Sequence, residues 1–215
     1  MKACRVFITG GTGYIGSRLI PILTARGHDV TALTRAESKH KLPPNCRGVT
    51  GNALDGDSYA ATVEGSDTFV HLIGVSHPSP AKARQFVEID LKSAEEAMRV
   101  ASAAHVRHFI YVSVAHPAPV MRAYVEARSA GEQLLRQSGL NATILRPWYV
   151  LGPGHRWPYL LLPFYAIARL FPATRDSAER LTPVTLGDML RSLGAAVEDP
   201  PTGLRILEAP RIRGL

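Results

Sequence analysis

The sequence is short of cysteine and of long hydrophobic runs. Cys4 and Cys46 are its two cysteines, too few for a disulfide framework or a four-ligand zinc site. That usage is compatible with a reducing cytosol, and a cytoplasmic protein is expected. The eight histidines show no HxxxH or HExxH spacing, so metal binding is not expected. The most apolar stretch is residues 157–171 (WPYLLLPFYAIARLF), interrupted by Pro158, Pro163 and Arg169. It falls short of the ~20 apolar residues of a membrane span. The N-terminus passes through Arg5 to Gly10 without a sustained apolar run, so no secretory signal is expected. There is no internal repeat and no low-complexity segment. Acidic residues are the scarcer charge, 18 against 25 Lys and Arg, giving a net charge of +7. This excess favours an anionic partner: a phosphate-bearing ligand, nucleic acid or an acidic membrane surface. No helical stretch carries a basic stripe at base-reading spacing, so nucleic acid is not expected.

What remains is a chain of 215 residues, 46% hydrophobic, enough for one domain with a real core. Short apolar runs alternate with amphipathic ones. Strands are expected at 4–9, 30–34, 47–51, 68–73, 108–113 and 142–146. Helices are expected at 13–26, 57–63, 81–104 and 123–138, the first with a distortion at Pro21. This rhythm predicts a Rossmann-type α/β fold, a doubly wound parallel sheet with helices on both faces. After Pro147 the rhythm breaks. A loop marked by Gly152, Pro153, Gly154 and Pro158 leads into the apolar stretch. A helix at 185–197 and a strand at 205–208 close the chain. The expected division is a nucleotide-binding domain at 1–151, a small apolar substrate or cover lobe at 152–183, and a return to the core at 184–215.

Thr9-Gly10-Gly11-Thr12-Gly13-Tyr14-Ile15-Gly16 stands between the first strand and the first helix. Glycines there let backbone approach a pyrophosphate, and the helix N-terminus offers free N–H groups and its positive dipole end. The plain alternative is a tight turn without a ligand. The second strand ends at Thr34-Arg35, with Lys39 and Lys41 beyond, where an NAD site would place a carboxylate for the ribose. Arg35 can fork onto a 2′-phosphate, which favours NADP(H) over NAD(H); otherwise it is a solvated surface arginine.

These features resemble the short-chain dehydrogenase/reductase superfamily, in its extended and atypical branches of epimerase/dehydratase-like and NAD(P)H-binding proteins. The likeness runs through Gly51-Asn52-Ala53-Leu54-Asp55, His71-Leu72-Ile73-Gly74, Tyr111-Val112-Ser113, Gly131-Glu132 and Leu145-Arg146-Pro147. It implies that Gly10, Thr12, Gly13, Tyr14 and Ile15 line the pyrophosphate. It implies that Leu54 and Asp55 flank adenine, that the Leu72, Ile73 and Gly74 backbone passes the ribose, and that Pro147 to Val150 lie beside the nicotinamide.

Redox members of that superfamily use Ser, Tyr and Lys, with Tyr-x-x-x-Lys on one helix. Here the resemblance points to Ser113, Tyr124 and Arg128. Residues four apart share a helix face, so Tyr124 and Arg128 can address one site. A phenol with a pKa of ~10 needs a nearby cation to work near neutral pH. Arg128 stands in place of Lys and does not readily lose a proton, so a lysine-type relay is in doubt. Asp90 stands where the superfamily has Asn. The structural alternatives are an ion pair of Arg128 with Glu132 on the helix surface, and ordinary core or cap roles for Ser113 and Tyr124. His77, His116 and His155 follow strand ends, where loop histidines can donate protons or simply be polar surface.

Residues 157–171 admit three special readings: a pocket cover, a subunit contact such as a homodimer, or a membrane-interface segment flanked by Trp157, Tyr159, Arg169 and Arg175. A core-facing lobe helix is the ordinary expectation. The functional expectation is an NADP(H)-dependent oxidoreductase acting on a small apolar carbonyl or alcohol. Its rivals are a catalytically silent NADP(H) sensor or scaffold and an epimerase/dehydratase on a nucleotide sugar, the latter disfavoured by the short lobe.

Overall fold

The computed structural model describes residues 3–118, 120–154, 160 and 162–214. Its centre is a sheet of seven strands, all pairs parallel. In chain order these are β1 (Arg5–Thr9), β2 (Asp29–Thr34), β3 (Arg47–Thr50), β4 (Thr68–His71), β5 (His108–Val112) and β6 (Ala142–Arg146). Two short strands follow, β7 (Val150–Leu151) and β8 (Val184–Thr185), and then β9 (Leu204–Glu208). The large sheet runs β3-β2-β1-β4-β5-β6-β9, while β7 and β8 pair with each other. Strand order reverses between β1 and β4, and this crevice is where open α/β sheets bind ligands.

The central strands are buried at nearly every position because both sheet faces are covered, and alternate side chains serve different cores. Val6, Ile8, Val70, Ile110 and Leu145 pack on one side, with α1 (Gly16–Ala25) and its Leu19, Ile20 and Leu23. Phe7, Phe69, Phe109 and Ile144 point to the other. There the rings of Phe7, Phe69 and Phe109 form a column with centroids 5.1 and 5.2 Å apart. α1 continues through Pro21, which lies on its exposed side and lacks the amide donor of the other helix residues.

The expected helix at 57–63 is a 3₁₀ turn at Gly56–Ser58 followed by α2 (Ala60–Val63). The single helix expected at 81–104 is composite. It comprises α3 (Ala83–Gln85), a π-helical turn over Phe86–Leu91, and α4 (Lys92–Ala103). The π turn widens the helix where Asp90 is fully buried; such turns frequently sit at functional sites. α5 (Arg122–Gln137) packs against this turn.

Beyond β7, residues 155–159 and 161 lie outside the described residues, and with them the expectations for His155, Trp157 and Tyr159. The chain then forms α6 (Leu162–Ala168) and α7 (Pro172–Leu181). The expectation of a core-facing helix is corrected here, because α6 has no buried residue among those described. α8 (Leu186–Glu198) starts at a capping box, with the Asp188 amide donating to Thr185 Oγ1 at 3.1 Å and the Thr185 amide to Asp188 Oδ2 at 2.9 Å. This arrangement satisfies two free helix-end donors. β9 then extends the sheet beside β6, and α9 (Ala209–Arg213) returns Ile212 to the core.

Candidate cofactor cleft and active site

Two cavities open at the C-terminal ends of the strands and meet at Gly10 and Ile73. The larger, with the longer lining, brings together Gly10, Gly13, Tyr14, Ile15, Leu72, Ile73, Gly74, Ser113, Tyr124, Arg128, Pro147 and Val150. The smaller is bordered by Gly10, Thr12, Thr34, Arg35, Leu54 and Ile73. Asp55 borders neither. Its amide donates to the Asn52 carbonyl at 3.0 Å and its own carbonyl accepts from Ser58 Oγ at 2.6 Å, so it closes the loop after β3.

The glycine loop has the backbone its sequence demands. Gly10 sits at φ +77°, and a Cβ there would lie 2.9 Å from the Leu72 carbonyl carbon and oxygen. Only glycine allows both this conformation and this approach of β1 to β4. The Gly13 amide closes the turn onto the Gly10 carbonyl at 3.0 Å.

Beneath the loop lies a buried polar chain. Thr9 Oγ1 is 2.9 Å from His71 Nδ1, and His71 Nε2 is 3.4 Å from Ser93 Oγ. Burial, with the nearby Arg128 charge, holds the His71 imidazole down to about 3, so it is neutral. Nothing in the sequence distinguishes this histidine from the others; its role follows from β4 lying at the centre of the sheet.

Arg128 is the centre of the catalytic end. Its guanidinium is buried, and Nη2 donates to Asp90 Oδ2 at 3.0 Å and to the Ile73 carbonyl at 3.2 Å. Nη1 donates to the Val112 carbonyl at 3.0 Å. Asp90 Oδ1 accepts from the Val75 amide at 2.7 Å. Burial alone pushes the Asp90 carboxyl up, against the pull of Arg128 and the Val75 amide. Burial likewise opposes charge on Arg128, but Tyr124, Tyr111 and Asp90 outweigh it and the guanidinium stays charged. Gly74 makes the arrangement possible, since a Cβ there would collide with Arg128 Nη2.

The two departures from the superfamily pattern, Arg128 and Asp90, therefore form one ion pair. The alternative pairing of Arg128 with Glu132 is corrected. Glu132 turns to β6, where Arg146 Nε donates to its Oε1 at 2.9 Å. His116 Nε2 stands 3.3 Å from the same oxygen, and Arg146 holds the carboxyl low despite its burial.

Tyr124 presents its ring to the same cavity, with Arg128 Cζ 5.4 Å from the centroid and Phe86 edge-on at 5.1 Å. Helical spacing supplies the Tyr124–Arg128 pair, as their four-residue separation predicts. Arg35 is 76% exposed and lies 3.3 Å from the Glu37 carboxylate. Trp148, Tyr149 and His77 also border the larger cavity. Of these, Trp148 and Tyr149 lay within the expected 147–150 segment, whereas the cavity position of His77 comes from the turn after β4.

A family model described as NAD(P)H-binding matches residues 10–155. A ceramide reductase of Caulobacter vibrioides is 27% identical over 207 residues, 93% of this chain and 62% of that protein. A 3 beta-hydroxysteroid dehydrogenase/Delta 5-->4-isomerase of Mycobacterium tuberculosis is 32% identical over 116 residues, 51% of this chain and 31% of that protein. The chain thus spans less than two thirds of either relative's length. Among solved structures, the Bordetella bronchiseptica enzyme WbmH in complex with NAD+ superposes with a TM-score of 0.71 at 23% identity, over 96% of this chain and 75% of that one. That likeness is one of fold.

Proposed function

The chain belongs to the NAD(P)H-binding family, within the short-chain dehydrogenase/reductase superfamily, and from that premise we propose that it is an NADP(H)-dependent oxidoreductase acting on an apolar, lipid-like carbonyl or alcohol. One observation carries the reading: a single cavity is bordered by the glycine loop and by Ser113, Tyr124 and Arg128.

The residues fit a dinucleotide. Gly10 brings bare backbone to the junction of the two cavities. The charged Arg128 guanidinium borders the same cavity as the glycine loop, where it can meet ribose hydroxyls. The α1 N-terminus would favour the pyrophosphate with its dipole. Arg35 borders the smaller cavity and is free to leave its exposed contact with Glu37 for a 2′-phosphate, which supports NADP(H).

When bound, the cofactor supplies or accepts the hydride at its nicotinamide. In reduction, Tyr124 gives its hydroxyl proton to the carbonyl oxygen; in oxidation it takes one from the alcohol. Arg128 keeps its own proton and acts as a fixed charge, stabilising negative charge that develops on the phenol oxygen. Ser113 holds the substrate oxygen. Ceramide and 3β-hydroxysteroids, named for two relatives, are lipids, and that supports an apolar substrate.

One observation favours cofactor binding without turnover: both terminal nitrogens of Arg128 are already committed to protein acceptors. A panel of long-chain and polycyclic ketones, with NADPH oxidation followed at its absorbance band, separates the two. Turnover lost in Tyr124→Phe supports the oxidoreductase. Tight NADPH binding with inactivity across the panel supports the silent binder, and absence of NADPH and NADH binding overturns both.

A further inference from the structure

α6 and the turn after it carry Phe164, Ile167, Leu170 and Phe171 at 58 to 78% exposure, and Leu160 just before is 83% exposed. Phe164, Ile167 and Leu170 follow at three-residue spacing, which places them along one side of a helical segment. The helical hydrogen bonds continue past α6, with the Arg169 amide donating to the Tyr165 carbonyl and the Leu170 amide to that of Ile167. The other side is half-buried: Leu162, Tyr165 and Ala168 face the protein. Tyr165 meets Trp148 through its hydroxyl, and Trp148 borders the larger cavity. So many large apolar side chains in water within one short segment mark a contact surface.

The charge around this surface selects its partner. α6, α7 and α9 pack in series, and with the turn between α6 and α7 they carry Arg169, Arg175, Arg180, Arg211 and Arg213 against Asp176 and Glu179, an excess of positive charge. Arg175, just beyond Phe171, is 65% exposed on its side chain. A second copy related by two-fold symmetry would set this net positive charge against itself. An anionic bilayer offers apolar depth and negative headgroups together. No described helix is long and apolar enough to cross a membrane, and α6 has seven residues, so the contact lies in the interface.

We propose that α6, through Phe164, Ile167, Leu170 and Phe171, seats the mouth of the larger cavity on a bilayer containing anionic phospholipid. Its purpose, taking an apolar substrate from the lipid past Trp148, rests on the function proposed above; the docking itself is read without turnover.

The experiment is flotation of the full chain with phosphatidylcholine vesicles, with and without a quarter phosphatidylglycerol, at low and high salt. NADPH affinity is measured by fluorescence in parallel. The wild-type chain is expected to float with the anionic vesicles and several-fold less with neutral ones or at high salt. Phe164→Glu combined with Ile167→Glu is expected to lower partitioning more than tenfold, with NADPH affinity unchanged within twofold. Arg175→Glu is expected to weaken only the anionic preference. No flotation with anionic vesicles, or flotation unaffected by the double substitution, overturns the proposal. So does a dimer, seen by light scattering, that the double substitution dissolves while vesicles bind neither form; the face then belongs to a second copy. Loss of NADPH binding by the wild-type chain would instead strike the function proposed above and leave the vesicle result standing.

Discussion

The Arg128 guanidinium and the Asp90 carboxylate, 38 residues apart, meet at 3.0 Å inside the protein, one on α5 and the other in the π-helical turn before α4. The same pair holds the Ile73 carbonyl, the Val75 amide and the Val112 carbonyl. It therefore fixes the ends of β4 and β5, between which a substrate would sit. Each residue explains the other: a buried cation needs a carboxylate, and a buried carboxylate needs a cation.

Removing one partner should be worse than removing the charge from both. Arg128→Met leaves Asp90 buried and unpaired and is expected to cost about 3–5 kcal/mol. Asp90→Asn with Arg128→Met should recover a large part of that. Urea unfolding of the singles and the double checks the coupling.

Tyr124→Phe should lower turnover at least ~100-fold, the range of a lost general acid or base. NADPH affinity should change little, because the ring and its contacts with Phe86 and Arg128 persist. Steady-state rates with a responsive ketone and calorimetric titration with NADPH separate the two effects.

Arg35→Ala should weaken NADPH roughly tenfold or more, the scale of a charge-assisted hydrogen bond, and leave NADH unchanged. Glu37→Ala frees Arg35 from its 3.3 Å partner and should tighten NADPH modestly. Titration of both cofactors against both variants reads the difference.

Stability should fall with acid below neutrality. Burial holds His71 down to about 3 and His108 to about 4, against ~6.5 in the unfolded chain. Below ~6.5 the unfolded chain takes up protons that the folded one refuses, so stability is full above that pH and declines towards the folded values. By pH 5 each histidine should have cost about 2 kcal/mol relative to pH 7.5. Urea unfolding across this range checks the slope, and His71→Gln should remove about half of it.

The strand at 142–146 and the helix at 123–138 are nearly as the sequence predicts, because hydrophobic period and terminal residues determine both locally. The glycine loop was legible for the same reason: Gly10 needs its conformation from its own residues. Tyr124 and Arg128 were legible as a pair because helical spacing is local. Asp90 was visible as a substitution but not as a partner, since a π turn and 38 intervening residues bring it to Arg128. Composition likewise marked residues 157–171 as the most apolar stretch without saying which side would find a core.

The sequence by itself determined the doubly wound sheet, the glycine turn at its switch point and the excess of positive charge, all of which follow from local pattern and composition. Only the tertiary structure decided that Arg128 is a buried charge, that Glu132 serves Arg146 and His116, and that the apolar face of α6 is left in water. Those outcomes depend on which groups, distant in sequence, share one volume in the fold, and no local pattern encodes that.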